Sequence, residues 1–308
     1  MKINTLFYYI AYILVIVCQC SVCIATPLYK YRDANGIWHY SNIQPSIPKR
    51  KIDHHDQRER IVITEKNNNN DISLYVKNNY FCSVEVELDF LENKNLITIP
   101  SLPARYIVPP QSEYKAIEVK PIDASKPWSY KYKYSYVIGS PHAKHDLNFR
   151  YHFPFPKGYS FFISQAFHGK YSHHEPSNMF AVDIPMPIGT PICAARSGVV
   201  IDIVQNFFKH GTNKKYLQRG NFIRILHEDG TMAIYVHLNP QSAKVHIGTI
   251  VKTGQIIAES GNTGYSSGPH LHFAIQKNNG MQLISLPFVF KGENGSAIKP
   301  KTLTRVEH

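Results

Sequence analysis

The chain reads Gly261-Asn262-Thr263-Gly264-Tyr265-Ser266-Ser267-Gly268-Pro269-His270-Leu271-His272-Phe273 between residues 261 and 273. The apolar run from residue 271 to 276 predicts a β-strand, and the Asn-Asn-Gly at 278–280 predicts the turn that ends it. Side chains two residues apart on a strand share a face, so His270 and His272 are expected to point to the same side. Such a pair can give one imidazole to a metal ion and keep the other beside it for acid–base work. The glycines ahead of the pair allow the backbone to lie close to a groove.

More strands are predicted on the N-terminal side of this motif. Gly198–Val204 is typical of a buried strand. Residues 221–227 and 232–237 flank a Glu-Asp-Gly turn, which is a strong hairpin signal. Almost no stretch of the chain has a helical period, so the sequence predicts a mostly β protein.

Four blocks of this region resemble, in order, the motifs of the lysostaphin-like, or LytM-type, zinc peptidases. They are residues 181–192 (Ala-Val-Asp-Ile-Pro-Met-Pro-Ile-Gly-Thr-Pro-Ile), 194–200 (Ala-Ala-Arg-Ser-Gly-Val-Val), 220–238 (Gly-Asn-Phe through Tyr-Val-His-Leu) and 261–273. The resemblance implies an antiparallel β-sheet domain with a groove across it and a single zinc ion at the floor of the groove.

The resemblance also implies roles for individual residues. Catalytic zinc takes three protein ligands and leaves one position open for water, whose pKa it lowers towards neutrality. Asp183 and His272 match two of the family's ligands. His237 and His270 match its two histidines that do not bind zinc, which implies that they accept and donate protons or stabilise the oxyanion.

The third ligand departs from the usual family pattern. Most relatives carry it four residues before the aspartate, where this chain has Met179. A subgroup of the family carries a histidine nine residues before the aspartate, and that spacing favours His174. His173 is the alternative, because adjacent residues of an extended segment point to opposite sides and only one can reach the metal. His168 is expected to border the groove.

The rest of the chain predicts four further segments. Residues 1–25 are typical of a secretory signal peptide, with an uncleaved membrane anchor as the alternative. Residues 26–60 comprise a small β-hairpin domain, which resembles an N-terminal domain of exported bacterial proteins, and a linker. Short alternating strands over residues 61–154 predict a β-sandwich-like domain. The peptidase domain is predicted over residues 155–290, followed by a C-terminal tail over 291–308. Cys82 and Cys193 are expected to be buried free thiols.

These features together predict an exported enzyme, periplasmic or extracellular and associated with the cell wall, that hydrolyses peptide cross-links of peptidoglycan. The net charge of +12 favours an anionic partner, and the absence of a Lys/Arg-rich run disfavours nucleic acid. Two alternatives stay open: a non-catalytic wall-binding protein that activates a separate amidase, and a general secreted protease. The scissile bond and the oligomeric state are left open by the sequence, as are the roles of residues 26–154.

Overall fold

The computed structural model describes residues 29–32, 38–41, 60–68 and 71–307. The chain divides into two compact units, residues 1–50 and 51–308. In the first unit, β1 (Tyr29–Arg32) pairs antiparallel with β2 (Trp38–Ser41), which confirms the predicted hairpin. The predicted signal peptide, and all but the last residue of the predicted linker, lie outside the described residues.

The N-terminal half of the second unit contains two antiparallel sheets. The first has the strand order β3 (Ile61–Asn68), β4 (Asp71–Asn78), β8 (Ser112–Pro121), β6 (Leu96–Ile99). In the second, β5 (Val84–Lys94) lies between β9 (Ser129–Ile138) and β7 (Ala104–Val108). Alternate residues of these strands, such as Leu74, Val76, Val86 and Leu88, are fully buried, because side chains alternate between the two faces of a strand.

The C-terminal half of this unit is built on a seven-stranded antiparallel sheet. Its order is β12 (Val182–Pro185), β21 (His270–Asn278), β17 (Met232–Val236), β16 (Phe222–Leu226), β14 (Gly198–Val204), β18 (Ile250–Val251), and β22 (Leu283–Leu286) also pairs with β21. The strands predicted at 198–204 and 271–276 and the hairpin predicted from 221 to 237 are all confirmed.

Shorter strands surround this sheet. β10 (Arg150–Tyr151), β23 (Val289–Lys291) and β24 (Ala297–Ile298) form one small sheet. The remaining pairs are β11 (Ser160–Phe162) with β25 (Arg305–Glu307), β13 (Pro191–Cys193) with β19 (Ile256–Glu259), and β15 (His210–Gly211) with β20 (Gly264–Tyr265). The one described helix is a short 3₁₀ helix, Lys214–Tyr216.

The two faces of the seven-stranded sheet have different environments. On one face, Val182, Leu271, Phe273 and Tyr235 belong to the main apolar core. Their neighbours along the strands point to the other face, where the histidines and the aspartate of the predicted site lie. The sheet therefore anchors the site residues through the packing of its opposite face.

The segment predicted as a C-terminal tail belongs to the folded domain. Strand β25 pairs with β11, and Val306 is completely buried in the main core. At the other boundary, Tyr151 and Phe153 lie in the same core although they precede residue 155. The compact region thus extends beyond the predicted limits of 155–290, because short strands at both ends complete the core.

Burial determines the protonation state of both described cysteines. Cys82 and Cys193 are free and buried, as the sequence predicts. Burial raises the pKa of each thiol to about 11, so both remain protonated near neutral pH. No helix among the described residues is long and apolar enough to cross a membrane.

The role of the C-terminal strand is testable by a pair of substitutions. Val306→Ala removes buried methyl groups, so we expect the free energy of unfolding to fall by about 2 kcal/mol. Leu303→Ala is the matched control, because Leu303 is 78% exposed and its truncation leaves no cavity. Denaturant unfolding measures both, and equal stability of the two variants would show that the tail contributes nothing to the core.

Candidate metal centre and active site

Two histidines and one aspartate meet at one end of the sheet. His173, Asp183 and His272 each offer a ligand atom, and these atoms all lie within 4.8 Å of one another. Asp183 Oδ1 is 2.8 Å from His272 Nδ1 and 3.2 Å from His173 Nε2. All three residues are buried. Two imidazole nitrogens and one carboxylate are the donor set that catalytic zinc sites use.

Strand pairing brings two of these residues together. Asp183 on β12 lies directly opposite His272 on β21, and His272 lies opposite Val236 on β17. Residues directly opposite each other in an antiparallel pair have Cβ atoms about 4.5–5.5 Å apart, which suits a shared ion. The register of the sheet therefore sets this half of the cluster.

The first histidine differs from the sequence expectation, which favoured His174. His173 is buried and reaches Asp183, whereas His174 is exposed and does not enter the cluster. The reason lies in the turn that carries them. His173 N donates to Gly169 O at 3.0 Å, and His173 Nδ1 lies 2.9 Å from Ala166 O, so this ring faces inward. His168, the third candidate, is exposed and packs edge-on against Phe180.

The hydrogen-bond partners of His173 indicate that a cation fits between His173 and Asp183. A carbonyl oxygen only accepts, so the contact with Ala166 O places a proton on Nδ1 of His173. In the neutral ring, Nε2 then presents a lone pair to Asp183 Oδ1. Two acceptors face each other at 3.2 Å only if a proton or a metal ion lies between them.

Electrostatics keep the carboxylate charged. Burial by itself raises the pKa of Asp183, but the hydrogen bonds to His173 and His272 outweigh burial and hold that pKa well below its usual range. Burial lowers the pKa of His173, whereas the hydrogen bond and charge of Asp183 raise it, and the net direction is upward. Metal binding requires a deprotonated carboxylate, and Asp183 is held in that form.

Gln165 orients the carboxylate from the opposite side. Its Nε2 donates to Asp183 Oδ2 at 2.8 Å and to Ser172 Oγ at 2.9 Å, and its Oε1 accepts from Tyr171 N. It thus connects the aspartate to the turn that carries His173. Sequence analysis assigned Gln165 no role in the site, and a buried glutamine has no local sequence signature.

The other two predicted site residues, His237 and His270, lie beside the cluster. Their ring centroids are 4.5 Å apart, and His270 Nε2 is 3.8 Å from Asp183 Oδ1. His237 follows the end of β17 with a φ of 64°, a left-handed conformation that turns the ring out of the strand direction. The prediction that His270 and His272 share a face is confirmed, since both approach Asp183 Oδ1.

Backbone carbonyls fix which nitrogens of these two rings are free. His237 Nδ1 is 2.6 Å from Thr263 O, and His270 Nδ1 is 2.8 Å from Gly268 O. Each Nδ1 therefore carries a proton, and neither Nε2 forms a hydrogen bond with a described residue, although His270 Nε2 lies 3.8 Å from Asp183 Oδ1. The glycine-rich loop at 261–268 supplies both carbonyls.

A buried asparagine supports His237 from behind. Asn221 Nδ2 donates to Phe207 O and Leu238 O, and the backbone N–H of Asn221 donates to Thr263 Oγ1. Through these bonds Asn221 connects Leu238, which follows His237, to Thr263, whose carbonyl oxygen is bound by His237. Asn221 lies in a predicted motif block, but no pattern in the sequence indicates this role.

The chain matches a known family over this region. Residues 177–283 match the model described as peptidase family M23. An uncharacterised metalloprotease of Buchnera aphidicola is 38% identical over 127 residues, which cover 40% of this chain and 30% of that protein. Lysostaphin of Staphylococcus simulans is 37% identical over 122 residues, which cover 38% of this chain and 22% of that protein. The peptidoglycan DD-endopeptidase ShyA of Vibrio cholerae is 37% identical over 93 residues, which cover 30% of this chain and 19% of that protein.

Residues 177–283 thus carry a peptidase domain of family M23, which confirms the resemblance to LytM-type metallopeptidases. The matched region spans less than a third of the length of each of these relatives. The family match covers neither the hairpin unit nor the two sheets between residues 61 and 138.

The protonation state of His237 gives a direct test of the site geometry. Burial lowers the pKa of His237 to about 3, and the charges of His270 and His272 act in the same direction. We therefore expect the metal-free protein to keep this ring neutral, with the proton on Nδ1, from pH 8 down to pH 5. Nitrogen-15 NMR of the imidazole measures this. A midpoint near the ordinary histidine value of about 6.5 would contradict the buried geometry.

Proposed function

We propose that this chain is an exported zinc metalloendopeptidase that hydrolyses peptide cross-links of bacterial peptidoglycan. The observation that carries the proposal is the convergence of His173, Asp183 and His272 beside two histidines whose Nε2 atoms are free. The peptidoglycan DD-endopeptidase ShyA, whose name states its substrate, and lysostaphin are both similar to part of this chain.

In this proposal His173, Asp183 and His272 hold the metal, and His173 replaces the expected His174. Zinc bound there would supply a Lewis acid and lower the pKa of a water molecule. The imidazole of His173 is fixed by Ala166 O and the carboxylate by Gln165, so the donor atoms are already oriented. Outer partners of this kind hold ligands in their binding geometry.

His237 has the chemistry of a general base. Peptide hydrolysis requires that the attacking water lose a proton and that the leaving amine gain one. Thr263 O holds the proton of His237 on Nδ1, so Nε2 of the neutral ring has a lone pair for the proton of the water. The low pKa keeps the ring in this neutral form.

His270 is placed to act on the carbonyl and the amine of the substrate. Its Nδ1–H is held by Gly268 O, and Ser266 Oγ lies 3.3 Å from the same nitrogen. With Nε2 also protonated, the ring can donate a hydrogen bond to the developing oxyanion or a proton to the leaving amine. The short distance between the rings of His237 and His270 allows both to reach one peptide bond.

The cellular location belongs to the same proposal. The predicted signal peptide at residues 1–25 and the peptidoglycan substrate of the relatives support action outside the cytoplasm, in the periplasm or at the cell wall. If the signal is not cleaved, the chain is held at the membrane by that segment. A complete set of five site residues disfavours the alternative of a non-catalytic amidase activator.

Zinc content measured on single variants distinguishes the two candidate histidines. We expect His173→Ala, Asp183→Ala and His272→Ala to lose zinc, because each removes a proposed ligand. His174→Ala serves as the matched control, because His174 is exposed and adjacent to the ligand. Full zinc retention by His173→Ala together with zinc loss from His174→Ala would contradict the assignment.

Mass spectrometry of fragments released from purified sacculi tests the reaction. The zinc-loaded chain should release fragments cut at peptide bonds, and a chelator should stop the release. His237→Ala should keep its zinc while the rate falls about a hundredfold or more, as expected for a lost acid–base group. Intact sacculi together with cleavage of casein would favour the general protease. If the chain leaves sacculi intact but stimulates a separate amidase, the result would favour the amidase activator.

A further inference from the structure

A long loop beside the active site is strongly basic. Residues 206–220, here called the basic loop, connect β14 to β16, and no Asp or Glu occurs between Asp202 and Glu228. The basic loop contains four cationic residues: Lys209, Lys214, Lys215 and Arg219. It therefore carries a local charge of +4 with no acid of its own.

The cations of the basic loop have no acidic partner among the described residues, and Lys215 lies over the Tyr216 ring, 5.2 Å from its centroid. All four side chains are exposed, and none forms an ion pair with another described residue. By contrast, several lysines on the N-terminal sheets form ion pairs, such as Lys66 with Glu113 at 2.6 Å and Lys133 with Asp89 at 3.4 Å. The loop thus presents four positive charges that no described acidic residue offsets.

Both ends of the basic loop lie beside the segment whose carbonyl binds His237. Lys209 O accepts from Gly264 N at 2.9 Å, next to Thr263, whose carbonyl binds His237. At the other end, Gly220 packs against Gly264 so closely that a Cβ added to Gly264 would lie 2.5 Å from Gly220 Cα. A Cβ added to Gly220 would lie 3.7 Å from His237 Nδ1. The loop is therefore a wall of the active site.

The basic loop has a defined shape. Asn213 Oδ1 accepts from Lys215 N at 3.0 Å and caps the 3₁₀ helix, and the Tyr216 ring covers Gly211, where an added Cβ would lie 2.9 Å from it. Phe208 and Leu217 are 66% and 60% exposed. Cations on an ordered backbone, with apolar neighbours, suit a ligand that has both carboxylates and small apolar side chains.

We propose that the basic loop binds free carboxylates of the peptide strands that the enzyme cleaves, on the side of the scissile bond next to His237. The inference rests on the proposed function, since it names the feature of the substrate that this wall recognises. Lysine is a flexible point charge that attracts carboxylates without fixed geometry, which suits a variable polymer. Several cations within a Debye length also raise the local concentration of an anionic substrate.

Cross-linked peptides with and without charge provide the test. One peptide keeps its free carboxylates, and its partner has every carboxylate converted to an amide, which removes charge with little change in size. We expect the zinc-loaded chain to show a KM about tenfold lower for the charged peptide at low salt, because exposed ion pairs each contribute a modest amount. The difference should shrink as salt rises to about 0.5 M.

A triple variant assigns the effect to the basic loop. Lys209→Gln/Lys214→Gln/Lys215→Gln, which keeps Arg219, should lose most of the preference for the charged peptide. The matched control Lys77→Gln/Lys94→Gln/Lys144→Gln removes the same charge from exposed lysines outside the loop and should keep the preference. Circular dichroism of both variants shows whether they fold. Loss of the preference in the control as well would overturn the proposal, because the effect would then come from net charge.

Binding separates this inference from the proposed function. Affinities of the two peptides for the zinc-loaded His237→Ala chain are measured by fluorescence anisotropy, which needs no turnover. Tighter binding of the charged peptide without cleavage by the unsubstituted chain would retain the loop proposal and refute the reaction. Cleavage with equal KM and equal affinity for both peptides would overturn the loop proposal alone. Equal affinity together with binding to vesicles of anionic lipid would assign the loop to a membrane surface instead.

Discussion

The pairing of β12 with β21 is the constraint on which the site depends. Asp183 lies opposite His272 in this pairing, while Val182 and Phe273 on the same strands enter the core. Because side chains alternate along a strand, a slip of one residue would bury the polar side chains and expose the apolar ones. Core packing on one face of the sheet therefore fixes the distances between ionisable groups on the other.

A buried carboxylate is costly unless charged or polar partners compensate it. Asp183 has such partners on every side: His173 and His272 at one oxygen and Gln165 at the other. His237, whose ring centroid is 4.5 Å from that of His270, is kept neutral by burial, although its hydrogen bond to Thr263 O acts in the opposite direction. The same fold thus places a charged carboxylate, which suits a cation, near a neutral imidazole.

The sequence predicted those parts of the site that strand periodicity or a motif determines. His270 and His272 share a face because they are two residues apart, and the structure agrees. The choice between His173 and His174 depended on a turn, where alternation does not apply and the contact with Ala166 O decides. Gln165 and Asn221 act through tertiary hydrogen bonds, which leave no periodic pattern.

Crystals of the zinc-loaded protein, measured at the zinc absorption edge, test the central claim most directly. An anomalous difference map should show one peak bonded to His173 Nε2, the Asp183 carboxylate and His272 Nδ1, at about 2.0–2.2 Å from each. His237 and His270 should face the peak without bonding to it. A peak coordinated by His174, or by His237 in place of one of the three ligands, would contradict the account.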